Sequence, residues 1–132
     1  MHRHAVFKGH SHPIIQFLVT NTFVFSLGEG GEFIVFSAKG ENEGSVISKL
    51  QIDSDLNFLM HPVTYVNKLV FAGKDKLHLW NVVEKEQVYT FKQHWASPIE
   101  CVVQSPVVDV VAVGCADGSI TLVNLLYDEV LL

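Results

Sequence analysis

The chain has 132 residues, 48% hydrophobic and 17% charged, with a formal net charge of −5. That length bounds it to one domain with a core, and the apolar content excludes a disordered tail. Nine Lys and Arg against fourteen Asp and Glu give no electrostatic support for non-specific binding to nucleic acid or an anionic membrane, and no apolar run approaches the roughly 20 residues of a membrane span.

Helical periodicity is nearly absent. Short runs rich in Val, Ile, Phe, Thr and Tyr alternate with Gly, Asp, Asn, Ser or Pro, which is a strand signature. In chain order the predicted strands are Pro13–Val19, Thr22–Leu27, Glu32–Ser37, Ser45–Ile52, Asn57–His61 and Lys68–Gly73. They continue with Leu77–Asn81, Gln87–Lys92, Ile99–Gln104, Val108–Cys115, Ile120–Leu125 and an incomplete Glu129–Leu132. The segment Ile14–Leu27 imitates a signal peptide, but Gln16, Thr20, Asn21 and Thr22 interrupt it and no small-residue cleavage site follows. A short helix is the rival over Lys49–Met60, where Asp53, Ser54, Asp55 and Asn57 favour a turn. Runs such as Phe33-Ile34-Val35-Phe36 are apolar throughout, so both faces of those strands are expected to be buried.

The twelve runs fall into three sets of four. Their third strands carry Phe36-Ser37, Trp80-Asn81 and Val123-Asn124, spaced 44 and 43 residues apart. Their second strands end in Leu27-Gly28, Ala72-Gly73 and Val113-Gly114, each followed by a tight polar turn. Asp117-Gly118 is the strongest hairpin signal, since Gly takes positive φ without steric cost. Four strands per unit of forty-odd residues is the pattern of a β-propeller blade. The expected fold is all-β: about three four-stranded antiparallel blades forming an incomplete β-propeller. A β-sandwich is the alternative.

Gly9-His10 opens the first unit, Asp75 and Trp80-Asn81 mark the second, and Asp117-Gly118 the third. Together they resemble the WD40-repeat family, in which a loop His, a strand Ser or Thr, a turn Asp and a strand Trp form a hydrogen-bonded tetrad. No unit here keeps all four: Phe36 and Val123 stand where Trp is expected, and Ala72-Gly73 offers no hydroxyl. The order His61-Pro62-Val63-Thr64-Tyr65, Leu77-His78-Leu79-Trp80-Asn81-Val82, Tyr89-Thr90-Phe91 and Gln104-Ser105-Pro106-Val107-Val108-Asp109 is more specific. It resembles the N-terminal propeller of the U3 small nucleolar RNA-associated tandem-WD40 subunits of the UTP-B complex, in the small-subunit processome. The likeness is densest between His61 and Asp128.

That resemblance implies a nucleolar scaffold for protein–protein interaction, needed for pre-rRNA processing to small-subunit (18S) rRNA. It implies other WD40 subunits of UTP-B as partners, with the U3 ribonucleoprotein and pre-rRNA met indirectly, and no membrane, cofactor or small-molecule substrate. A generic WD40 adaptor for peptides or protein partners in another complex is the alternative. The expected blades are 9–52, 53–92 and 93–132, with no second domain. Three blades are too few to close a ring, so the chain is expected to be a fragment of a larger propeller.

Other features read more plainly. His2, His4, His10 and His12 form two H-x-H pairs that could offer imidazoles to a metal, but no Cys lies nearby, and solvated or loop histidines are the reading preferred. Cys101 and Cys115 lack CxxC spacing and are expected to be buried free thiols. Gly28-Glu29-Gly30-Gly31 suggests a phosphate loop, but no helix follows to supply amides, which leaves a hairpin turn. The pairs Glu41/Glu43 and Asp53/Asp55 read as solvated loop charge rather than catalytic carboxylates. His94-Trp95 reads as a loop aromatic packed under the sheet. Lys74 and Lys76 flank a turn and, with Lys68, make the one small basic cluster, a candidate contact for a phosphate or an acidic partner. No nucleophile elbow, P-loop or dinucleotide fingerprint occurs, so no enzyme activity is expected.

Overall fold

A computed structural model describes residues 5–62 and 64–131. Apolar runs punctuated by turn residues become twelve strands: β1 (Ile14–Val19), β2 (Phe23–Gly28), β3 (Glu32–Ser37), β4 (Val46–Gln51), β5 (Phe58–Met60) and β6 (Lys68–Ala72), then β7 (Leu77–Asn81), β8 (Glu86–Thr90), β9 (Ile99–Gln104), β10 (Val110–Cys115), β11 (Ile120–Asn124) and β12 (Glu129–Val130). They form three antiparallel sheets of four, β1-β2-β3-β4, β5-β6-β7-β8 and β9-β10-β11-β12, each a simple meander. The turn predicted around Asp53–Asp55 separates β4 from β5, and no helix forms there.

Two compact units result. The first ends at Asp55 and holds the first sheet; the second starts at Leu56 and holds the other two. In the first, β2 and β3 bury nearly every residue while β1 and β4 are largely exposed. Val24, Ile34 and Phe36 form a core there with Phe7 and Ala38 against it. In the second, Val70, Ala72, Leu77, Val111, Val113 and Val123 are fully buried in one cluster that spans both sheets. Each such side chain stabilises the fold by about 1.5–3 kcal/mol for the larger ones, before the entropy of ordering is set against it.

The repeat goes deeper than strand count. Asn67 and Asp109, just before β6 and β10, both take positive φ (59° and 64°), and so do Lys85 and Asp128 (60° and 54°) just before β8 and β12. The Asn67 and Asp109 carbonyls accept from Val82 N–H (2.9 Å) and Leu125 N–H (2.7 Å). The Asn of each repeated dipeptide shapes the turn after it. Asn81 Oδ1 accepts from Val83 N–H and Glu84 N–H, both at 3.0 Å, and Asn124 Oδ1 from Tyr127 N–H at 3.1 Å. Register shifts fall at matching places, between Val35 and Phe36 and between Leu79 and Trp80.

Two local expectations, for Val108 and Cys101, are corrected, and the hairpin turn expected after Gly28 is given its geometry. Val108 lies in a turn rather than in β10, because Asp109 after it adopts a left-handed backbone that interrupts the extended conformation. Glu29–Gly31 is a 3-10 turn inside the β2–β3 hairpin, with Gly30 and Gly31 at φ 78° and 84°. Cys101 is exposed, since β9 is an edge strand, whereas Cys115 is buried as expected; both thiols are free. Cys101 lies opposite Gly114, and a Cβ at that glycine would sit 2.7 Å from its sulfur. Successive strand residues face opposite sides, so Cys115 points away from that pair.

Candidate functional site

A polar constellation of four side chains lies in the first unit. His10 Nδ1 donates to Glu32 Oε1 at 2.7 Å, and the Ser26 hydroxyl donates to His10 Nε2 at 2.8 Å. Ser11 adds its N–H and its hydroxyl, the latter 2.7 Å from Glu32 Oε2. The Ser11 hydroxyl is the main cause that holds the Glu32 carboxyl down at about 2; partial burial opposes it, and His10 and the Ser11 N–H add to it. The order Ser–His–acid matches a hydrolase relay, but Ser26 is only 2% exposed. No acyl group can reach that oxygen, so the arrangement acts as a clamp from the loop onto β2 and β3. Gly28 is required beside it: a Cβ there would lie 2.8 Å from His10 Nδ1. Gly9 packs against Ile34 and Val46, leaving its carbonyl to accept from Lys49 Nζ at 3.2 Å.

Ser26 and Glu32 escaped the sequence reading. Ser26 is embedded in the apolar Phe23–Leu27 run, and Glu32 opens β3 where an Asp in the turn was sought. Register shows what the other sheets lack. Phe36 pairs with Val24 and Ile34 with Ser26; likewise Trp80 pairs with Leu69 and His78 with Phe71. Phe71 therefore stands where the first sheet has its hydroxyl, and Trp80 packs edge-on against it at 6.2 Å. Trp80 Nε1 is buried and has no acceptor among the described residues.

Asp75 is joined not to a residue before β5 but to His94, with Oδ2 2.9 Å from Nε2. Both are about half exposed, so this pair contributes little. The firmer ties are backbone ones: Trp95 N–H to the Asp75 carbonyl (3.0 Å) and Ile99 N–H to the Lys74 carbonyl (2.8 Å). Trp95 is buried, as expected of a loop aromatic under the sheet, and its indole N–H reaches Thr121 Oγ1 at 3.3 Å. Asp117 serves its own turn, accepting from Ser119 N–H (2.9 Å) and the Ser119 hydroxyl (2.6 Å), which lowers its pKa. Gly118 follows at φ 86°.

The lysines separate. Lys74 and Lys76 lie in the β6–β7 turn, while Lys68 starts β6 at its other end. Four strand steps put roughly 13 Å between those ends. His2 and His4 lie outside the described residues, and among those described no group of three or more His, Cys, Asp or Glu can hold a metal ion.

A second site was not anticipated. A groove of about 360 Å³ in the second unit gathers Tyr65, Tyr89 and Tyr127, all three tyrosines of the chain, over Leu79, Phe91 and Leu125. Asp128, 7% exposed, lies beside it. Its Oδ2 accepts from the Tyr89 hydroxyl at 2.6 Å and from Lys92 N–H at 2.9 Å. That bond to Asp128 is the main reason the Tyr89 pKa is raised. Thr64 donates to Asp109 Oδ1 at 2.6 Å, and burial followed by the Asp109 charge raises the Tyr65 pKa. Residues from four separate segments meet here, and no sequence spacing signals such a meeting.

Comparison with known proteins fits this architecture. The family described as "WDR36/Utp21 first beta-propeller" matches residues 1–132. WD repeat-containing protein 36 of Homo sapiens is 29% identical over 127 residues, 96% of this chain and 14% of that protein. The U3 small nucleolar RNA-associated protein 21 homolog of Schizosaccharomyces pombe is 35% identical over 81 residues, 61% of this chain and 9% of its own length. This chain thus spans a small part of either relative. The crystal structure of the WD40 β-propeller domain of Doa1 superposes with a TM-score of 0.72 at 20% identity, over 95% of this chain and 40% of that one. The fold is that of WD40 propeller blades.

Proposed function

This chain belongs to the WDR36/Utp21 first β-propeller family, and from that membership we propose that it is part of a non-catalytic scaffold in assembly of the small ribosomal subunit. Its work there is to hold proteins of the small-subunit processome together so that pre-rRNA is processed to 18S rRNA. The observation that carries this reading is the family match along the full 132 residues. A relative named for its association with the U3 small nucleolar RNA supports it. The partners proposed are other WD40 subunits of the UTP-B complex, with U3 ribonucleoprotein and pre-rRNA reached through them, in the nucleolus. A net charge of −5 supports indirect rather than direct contact with RNA.

The blades proposed are 9–52, 53–92 and 93–132. Gly9, His10, Asp75, Trp80, Asn81, Asp117 and Gly118 are proposed as structural positions of those blades. Lys74 and Lys76 remain together on one turn as a candidate contact for an acidic partner; Lys68 belongs to a different end. Affinity purification of the full-length protein from its own cells tests the proposal. U3 RNA and processome proteins enriched in the eluate support it. An eluate with protein partners but no U3 RNA points to an adaptor in another complex and overturns it.

A further inference from the structure

We infer that the three-tyrosine groove of the second unit is a docking site for a single arginine side chain carried on a basic segment of a partner protein. The inference is independent of the assembly in which the chain works. It starts from a charge imbalance. Asp128 is a buried carboxylate, yet its side-chain partners among the described residues are neutral donors, the Tyr89 hydroxyl and the Lys92 backbone N–H. Oδ2 takes both of those bonds, while Oδ1 receives only the longer 3.2 Å contact from the same N–H. A carboxylate has about four lone-pair sites, so acceptor capacity remains on Oδ1. A buried anion held by neutral donors alone favours a cation beside it.

The aromatic faces point the same way. Tyr127 is 66% exposed and Tyr89 45%, with Tyr65 half-buried, so aromatic side chains with exposed surface line the groove together with apolar Leu79 and Leu125, and the Tyr89 ring is held edge-to-face against Phe91 at 5.1 Å. A ring face carries the negative end of its quadrupole and attracts a cation. Asp109, near enough to influence the Tyr65 hydroxyl, adds a second negative charge. A guanidinium fits this combination better than an ammonium, because it stacks flat on an aromatic ring while its edge donates to a carboxylate. The groove volume of about 360 Å³ suits one long side chain and its flanking backbone. Lys92 is the opposing charge: its side chain lines the groove and is exposed, so it competes with an incoming cation.

The test uses the 132-residue chain and a short acetylated, amidated peptide holding one arginine between alanines and glycines. Counterparts carry citrulline, lysine or trimethyl-lysine at that position. Binding is followed by the NMR signals of the tyrosine rings. The arginine peptide should shift all three rings, and the neutral citrulline peptide should bind about tenfold more weakly or worse. Tyr127→Ala, an exposed position that leaves the core intact, should weaken the arginine peptide about fivefold. Lys92→Gln should tighten it about twofold at low salt. Equal binding of the arginine and citrulline peptides would overturn the inference. So would tighter binding of trimethyl-lysine, or a folded Tyr127→Ala chain that binds arginine as the parent does.

Discussion

Glu32 shows how one residue can bind a loop to a sheet. Its carboxylate accepts from His10 and twice from Ser11, and these bonds hold its pKa at about 2 against an ordinary value of 4.5. A carboxyl lowered in the folded state stabilises the fold fully above its ordinary value and loses that contribution as pH falls toward the folded one. The stability advantage of the parent over Glu32→Gln, read from urea midpoints, should therefore be constant above about pH 5 and shrink between about pH 4.5 and 2. A pH-independent gap would show that Glu32 acts by packing alone. Gly28 makes a sharper steric prediction. Gly28→Ala drives a methyl into the His10 imidazole and should cost about 1–3 kcal/mol in the same assay. A neutral effect would mean that the imidazole shifts freely and clamps nothing. At this scale the sequence was only partly readable. His10 stood out through its Gly-His context, but its partners did not, because hydrogen bonding is set by register across β2 and β3 rather than by spacing along the chain.

The strands themselves were legible from the sequence because many are apolar runs ended by a turn former, and those two signals are local. Glu32–Ser37, Leu77–Asn81 and Ile99–Gln104 match β3, β7 and β9 residue for residue. What composition hides is a backbone that departs from the extended region. Val108 reads as the start of a strand, yet it lies in a turn with the left-handed Asp109 beside it. The turns also give a reason for the recurring Asn after Trp80 and Val123, since each side chain satisfies N–H groups that the hairpin leaves free. Asn81→Ala removes two such bonds and should lower stability by about 1 kcal/mol, as measured by thermal unfolding. Gly118→Ala forces a methyl-bearing residue to φ 86° and should cost about 1–2 kcal/mol although the site is open to solvent. If Gly118→Ala were neutral, the positive φ assigned to that turn would be in error.

Across the whole chain, blade periodicity was readable as a number, whereas the meeting of distant segments was not. The tyrosine groove joins residues 65, 89 and 127 only after two sheets have packed on the cluster that contains Val70, Val111 and Val123. Phe71 is fully buried in the second unit and takes the place a hydroxyl holds in the first. Phe71→Ala should cost about 3–5 kcal/mol, enough to unfold a marginal unit, and so provides a loss-of-structure variant for work in cells. The central claim, a scaffold for small-subunit assembly, is tested most directly by the ratio of 18S precursors to mature 18S rRNA after depletion of the full-length protein. Precursors should accumulate, and re-expressed parent protein, but not Phe71→Ala, should restore the ratio. An unchanged ratio after depletion would contradict the account.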